Sequence, residues 1–137
     1  MLGRAFAEAI SRTNPSIHTM PKTKAELDVT RKSDVMKLAS SRLDFIIHCA
    51  GNTDADFCEG HPECAHSVHV RGTQNIIDLA KASGAKILYP QSFLIFDGNE
   101  NPIHEQTPPN PLSVYGRCKL EAEKILIAQL PNSLIIR

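Results

Sequence analysis

Apolar positions along this chain keep switching between two periods. From Leu2 the apolar residues Phe6, Ala9 and Ile10 recur at helical spacing until Asn14-Pro15, which predicts a helix over 2–12. Ser16 to Thr19 reads as a short strand. Ser33 can cap a helix over roughly 34–41, with Val35, Met36 and Leu38 on its inner face. Asp44-Phe45-Ile46-Ile47-His48-Cys49-Ala50 predicts a buried strand that ends at Gly51-Asn52. A longer helix follows over about 62–82, with Val68, Ile76, Ile77, Leu79 and Ala80 facing inward and Gly84 as its stop. Lys86-Ile87-Leu88-Tyr89 starts a strand that runs toward Ser92. The stretch 97–113, with four prolines, predicts a loop, 113–129 a helix, and Ser133 to Arg137 the start of one more strand.

The order is α-β-α-β-α-β-α-β. Strands apolar on both faces, alternating with helices, predict a doubly wound, Rossmann-like α/β fold: a parallel sheet covered on both sides by right-handed crossovers. Ligands in such sheets bind beyond the carboxyl ends of the strands. Ala50-Gly51-Asn52 and Ser92 fall at two such ends, and Tyr115 opens a helix beside them.

Size and charge narrow the field. The 137 residues suffice for one domain with a single core. Apolar residues make up 42% and charged residues 22%, which argues for a globular chain rather than a disordered one. Fifteen basic residues balance fifteen acidic ones, so no electrostatic footprint for nucleic acid or an anionic membrane is expected. The apolar runs are too short to span a bilayer. The amphipathic N-terminus, with Arg4 and Glu8, is unlike a signal peptide, so a cytoplasmic location with four reduced cysteines is expected. Cys58, His61, Cys64 and His66 could ligate zinc. They crowd around Pro62 instead of forming two separated knuckles, so no metal site is expected.

Tyr115-Gly116-Arg117-Cys118-Lys119 carries the chemistry. On a helix, Tyr115 and Lys119 fall at i and i+4 and project from one face. An ammonium beside a phenol favours the phenolate, which makes the phenol a workable proton donor near neutral pH. Ser92, at a strand end, can hold a carbonyl oxygen against that phenol. The three together would reduce a carbonyl or oxidise an alcohol beside a nicotinamide.

Several segments follow one another in a familiar order: Leu27-Asp-Val-Thr30, His48-Cys-Ala-Gly-Asn-Thr-Asp-Ala-Asp56, Gly72-Thr-Gln-Asn75, Ser92-Phe-Leu-Ile-Phe-Asp-Gly98 and Asn110-Pro-Leu-Ser-Val-Tyr-Gly-Arg-Cys-Lys119. In this the chain resembles the extended short-chain dehydrogenase/reductases, and most closely their sugar-nucleotide branch, the dTDP-4-dehydrorhamnose reductases. The resemblance implies that Tyr115 protonates the substrate carbonyl, Lys119 lowers its pKa and holds the nicotinamide ribose, and Ser92 positions the carbonyl oxygen. It places Asp28 and Val29 at the adenine, and Ala50, Gly51 and Asn52 along the cofactor. It implies a nucleotide-sugar partner and leaves a homodimer open. NADP(H) is favoured over NAD(H), because no acidic residue ends the Ser16–Thr19 strand and Arg4, Lys22 and Lys24 could meet a 2′-phosphate. Two other functions are compatible with the resemblance: a non-catalytic NADP-binding regulatory subunit of methionine adenosyltransferase, and a sugar-nucleotide epimerase or dehydratase.

The chain also departs from that family. His69 stands where asparagine is usual, Phe93-Leu94 replaces an Asp-Tyr pair, and Pro90-Gln91 is unusual at a strand end. Met1-Leu2-Gly3 resembles the last three positions of the family's glycine-rich phosphate loop. A start inside that loop and a stop inside a strand imply a partial NAD(P)-binding domain over 1–137, lacking the first strand and the C-terminal substrate-binding part and inactive alone.

Overall fold

The computed structural model describes residues 2–99 and 102–137; Met1 of the phosphate-loop expectation and two positions in the 97–113 loop lie outside the described residues. Three parallel strands, β1 (Phe45–Ile47), β2 (Lys86–Pro90) and β3 (Leu134–Ile136), form a sheet in the order β1-β2-β3. Leu88 is the pivot of the register, opposite Ile47 on one side and Leu134 on the other. A helix crosses over between each pair: α5 (Gly72–Ser83) joins β1 to β2, and α6 (Val114–Gln129) joins β2 to β3. These helices pack on each other, and α2 (Lys32–Met36) packs on α5.

The pleat divides the sheet into two unequal faces. Ile46, Ile87, Tyr89 and Ile135 point into the core built by Val35, Ile76, Ile77, Leu79, Ala122 and Leu126. The opposite face carries Phe45, Leu134 and Ile136, which are 68%, 57% and 44% exposed. Cover on both faces was expected, but among the described residues it is found on one. Apolar alternation shows that a face suits burial, and another element must still be there to bury it. The amphipathic α1 (Leu2–Thr13) buries none of its own residues.

The expected strand at Ser16–Thr19 is not present. The Asn14 carboxamide accepts from both the Ser16 amide (3.3 Å) and its hydroxyl (2.6 Å), and the Ile17 amide bonds back to the Asn14 carbonyl at 3.1 Å. Those donors are spent on a turn, so no ladder can use them. The expected cap at Ser33 is also corrected: the helix begins at Lys32, after Arg31, with no side-chain cap, and a 3-10 turn over Lys37–Ser40 follows it. The Arg31 carbonyl takes the Val35 amide at 3.2 Å, which starts the helix earlier. A short helix, α3 (Ala55–Gly60), was not expected, although Asp54 caps it by accepting from the Phe57 amide at 2.9 Å.

The long helix expected over 62–82 is α4 (Pro62–His66), a π turn over Ser67–Arg71, and then α5. The Gly72 amide reaches back five residues to the Ser67 carbonyl. One extra residue in that turn shifts the helical phase, so His69 and Val70 are buried while Val68, expected inside, is half-buried. Gly84 stops α5 with φ +76°, as a left-handed terminal residue should.

Candidate active site

Two strand ends and the first turns of α6 meet where chemistry was expected. Ser113 caps α6 by accepting from the Gly116 amide at 3.0 Å, which makes Tyr115 the second residue of the helix. Gly116 explains how the helix comes so close to the strand end. A Cβ placed there would sit 2.2 Å from the Leu94 carbonyl oxygen, so only glycine permits this approach. Ser92 flanks the 3-10 turn Phe93–Ile95, and its hydroxyl accepts from the Leu94 amide at 3.3 Å. Gly116 thus holds the turn after Ser92 against the helix that carries Tyr115.

Lys119 is 7% exposed and donates from Nζ to the Pro90 carbonyl at 2.8 Å, two residues before Ser92. The ammonium also lies 3.8 Å from the centroid of the Tyr89 ring. Burial pushes its pKa down to about 8, against the opposing pull of Cys49 and Glu123. It therefore remains mostly cationic at neutral pH but lies near its titration range.

His69 joins the other strand end to Tyr115. Its Nε2 faces the Asn52 carbonyl at 2.9 Å, an acceptor, so the ring must carry its proton there. The ring meets Tyr115 edge-on, with centroids 5.1 Å apart, and a Cβ on Gly51 would strike it at 2.8 Å. Burial lowers the His69 pKa, outweighing the Asn52 bond, and keeps the ring neutral. Behind it, the Thr73 hydroxyl donates to the His69 carbonyl at 2.5 Å and so can only accept from His48 Nε2, 3.0 Å away. His48 is fully enclosed; burial first, and then the positive charge of Lys119, hold its pKa down to about 3.

The predicted site residues divide into three groups. Tyr115, Lys119 and the Ser92 turn come together with Gly51 and Asn52, while Ala50 and Gly51 leave an exposed rim at the end of β1. Leu2 and Gly3 open α1, and the position of a Gly3 Cβ lies 3.6 Å from Cys49 Cβ, which brings the first turn of α1 to the same strand end. Asp28 is engaged locally: one oxygen accepts from the Thr30 amide (3.0 Å) and hydroxyl (2.7 Å), and these bonds hold its carboxyl below the usual range. Val29 is pinned beside it, because its carbonyl accepts from Asn75 Nδ2 at 2.8 Å and its side chain fills the space a Gly72 Cβ would need.

Sequence reasoning missed the roles of His48, Thr73, Asn75, Gln91 and Gly116. Thr73, Asn75 and Gly116 lay inside recognised motifs but had been given no task. The cysteine and histidine cluster disperses: Cys58 is buried, Cys64 is exposed, His61 stacks on Phe57, and His66 reaches Glu121 at 3.3 Å. Among the described residues no group of three or more His, Cys, Asp or Glu could hold a metal ion, and no helix is long and apolar enough to cross a membrane.

The donor set suits a nicotinamide dinucleotide. Lys119 and Tyr115 lie beside a strand end lined by small residues, and α1 begins at Leu2 near the same strand end; the first-turn N–H groups of a helix have no partner within it and are of the kind that hold phosphate. Comparison with known proteins agrees. A family model described as RmlD substrate binding domain matches residues 1–137. The chain is 33% identical over 138 residues to dTDP-4-dehydrorhamnose reductase from Aggregatibacter actinomycetemcomitans, covering 99% of this chain and 47% of that protein. It is 37% identical over 92 residues to methionine adenosyltransferase 2 subunit beta from Bos taurus, covering 67% of this chain and 28% of that one. Its fold superposes on dTDP-4-dehydrorhamnose reductase from Bacillus anthracis in complex with NADP with a TM-score of 0.88 and 27% identity, covering 96% of this chain and 48% of that one. The chain spans less than half the length of each of these proteins.

Proposed function

The chain belongs to the RmlD substrate-binding-domain family across residues 1–137, and on that footing we propose NADP(H)-dependent reduction of a keto group on a nucleotide-activated sugar. One observation carries the proposal. The buried Lys119 ammonium, one helical turn beyond Tyr115, is bonded to the strand end that leads into Ser92.

The chain's residues have distinct tasks in this reaction. Bound NADPH would supply the hydride. Ser92 would donate its hydroxyl proton to the ketone oxygen and so hold the carbonyl in place. Tyr115 would pass its phenol proton to that oxygen as negative charge develops there. Lys119, whose ammonium is bonded to this strand end, would offset the negative charge left on Tyr115 and approach the ribose. The neutral His69 would brace the Tyr115 ring and hold the Asn52 carbonyl in place. Leu2 and Gly3 would meet the pyrophosphate, and Asp28 and Val29 the adenine. The preference for NADPH loses its original support, because no strand ends at Thr19; it rests instead on the likeness to a reductase solved with NADP. In the cell this reading expects a cytoplasmic enzyme whose partner is the sugar nucleotide.

The test is Tyr115→Phe in a version of the protein that spans the full length of its relatives, assayed with NADPH and a dTDP-4-keto sugar alongside NADPH binding by calorimetry. The rate should fall by about two orders of magnitude or more while cofactor affinity stays within about twofold. A near-normal rate in the variant would remove Tyr115 as the proton donor. A second proposal follows from the likeness to methionine adenosyltransferase 2 subunit beta and from His69 and Phe93-Leu94 replacing the family's polar residues: an NADP-binding regulatory subunit. NADPH binding without turnover of any nucleotide sugar would favour this second function.

A further inference from the structure

Gln91 is the residue at the end of β2 that family resemblance left without a task, and its side chain is fully engaged. Its Oε1 accepts from the backbone amide of Ser92 at 3.0 Å. Its Nε2 donates to the Lys119 carbonyl at 3.3 Å and also to the carboxylate of Glu123. The orientation of the amide is fixed by its partners, because the Ser92 N–H can only donate and the other two groups can only accept. Glu123 is 2% exposed and is held from its other oxygen by the guanidinium of Arg137, which in turn donates to the Glu105 carbonyl at 2.9 Å. The Gln91 backbone amide continues the β2–β3 ladder by donating to the Ile136 carbonyl at 2.7 Å.

We propose that Gln91 is a positioning residue that sets the Ser92 hydroxyl against the helix bearing Tyr115 and Lys119. This rests on the assignment of Ser92 as the group that holds the carbonyl. Residues 90–92 are stitched to α6 at three consecutive positions: Pro90 through Lys119 Nζ, Gln91 through the Lys119 carbonyl and Glu123, and Ser92 through Gln91 itself. An ordinary strand-end residue with a short side chain could not span from the Ser92 amide to Glu123. The buried carboxylate makes the donor end strong, since hydrogen bonds to charged groups exceed neutral ones. Arg137 offsets the cost of enclosing that charge. The Ser92 hydroxyl is then placed by backbone held on both sides: by Gln91 before it, and by the Leu94 amide that donates to it.

Amide hydrogen exchange on this chain tests the arrangement without cofactor or substrate. In Gln91→Met, which keeps length but removes both polar atoms, the Ser92 and Leu94 amides should exchange about five- to tenfold faster. The Ile77 and Leu126 amides, in the helical core, should stay unchanged, and the Ser92 Cβ resonance should shift. Equal acceleration at all four amides would mean that Gln91 is merely structural, and no change at Ser92 and Leu94 would overturn the proposal outright. The unmodified chain supplies a check should the variant not fold: its Gln91 side-chain NH2 protons must exchange slowly, and free exchange there refutes the clamp. Failure of Tyr115→Phe to slow reduction would sink the proposed activity and leave these amide measurements standing.

Discussion

Replacing Gly116 by alanine isolates the contact that brings the two halves of the candidate site together. A Cβ at this position would lie 2.2 Å from the Leu94 carbonyl oxygen, 3.1 Å from the Leu94 carbonyl carbon and 3.0 Å from Pro111 Cβ. Ordinary contact begins near 3.4 Å, so the backbone must retreat by about an ångström. The obstacle is a main-chain carbonyl, which cannot rotate aside like the end of a long side chain. Overpacking of this kind costs about 1–3 kcal/mol, and the upper part of that range applies to a backbone obstacle. Alanine also favours the helix over glycine by about 1 kcal/mol, leaving a net loss of about 1–2 kcal/mol. Gly60, the last residue of α3, is the internal control, because a Cβ there meets nothing within 4 Å. Gly60→Ala should stabilise the chain by several tenths of a kcal/mol. Urea denaturation followed by circular dichroism would compare the two, and 15N shifts would locate the displacement, expected at residues 92–96 and 111–118. If Gly116→Ala proved as stable as Gly60→Ala, the 92–95 turn would be yielding freely, and close approach would not be what holds Ser92 beside α6.

Two pH effects follow from burial. His48 ionises more readily unfolded than folded, where its pKa is about 3, so the unfolded chain binds the extra proton at mildly acid pH. Stability should therefore fall as pH drops below about 6.5, with a slope approaching ~1.4 kcal/mol per pH unit from this residue; His48→Asn should flatten that slope in urea titrations at pH 7, 6 and 5, and an unchanged slope would refute it. Lys119 acts in the same sense at higher pH: with a folded pKa of about 8 it holds its proton less tightly than in the unfolded chain. Stability from this residue should rise between about pH 8 and pH 10, by up to about 3 kcal/mol, and Lys119→Met should abolish the rise. A variant that still gained stability with alkali would place the effect elsewhere.

The parts of the fold that were legible share one property: their local pattern and their tertiary role agree. Strands β1 and β2, helix α6 and the stop at Gly84 fall where periodicity and turn chemistry put them, although β1 is shorter than the apolar run suggested. The failures lie where a side chain took over a backbone bond. Asn14 diverts the donors of residues 16 and 17 into a turn, so a plausible strand never forms. The π turn at Ser67–Arg71 leaves no mark in hydrophobic spacing, because a single inserted residue exchanges Val68 for His69 and Val70 on the inner side. Such a shift is decided by what the helix packs against, which single-sequence periodicity does not encode.

The candidate site shows the same division at the level of chemistry. Tyr115 and Lys119 were readable because i and i+4 spacing fixes their common face whatever surrounds them. What binds that face to the strands was not readable, since each link spans distant segments: Lys119 to Pro90, Gly116 to Leu94, His69 to Asn52, and Gln91 to Glu123. Three of those links use a main-chain carbonyl, for which residue type carries no signal. The departures from the family pattern gain physical content in this light. His69 can make its bond to Asn52 only while its Nε2 bears the proton, and the Asn52 carbonyl holds the proton there while burial favours the neutral ring. Gln91 is long enough to reach a buried carboxylate, and it does so next to Ser92. His69 and Gln91 each join a strand end to the helix of Tyr115, which is where the proposed carbonyl-reducing site would least tolerate movement.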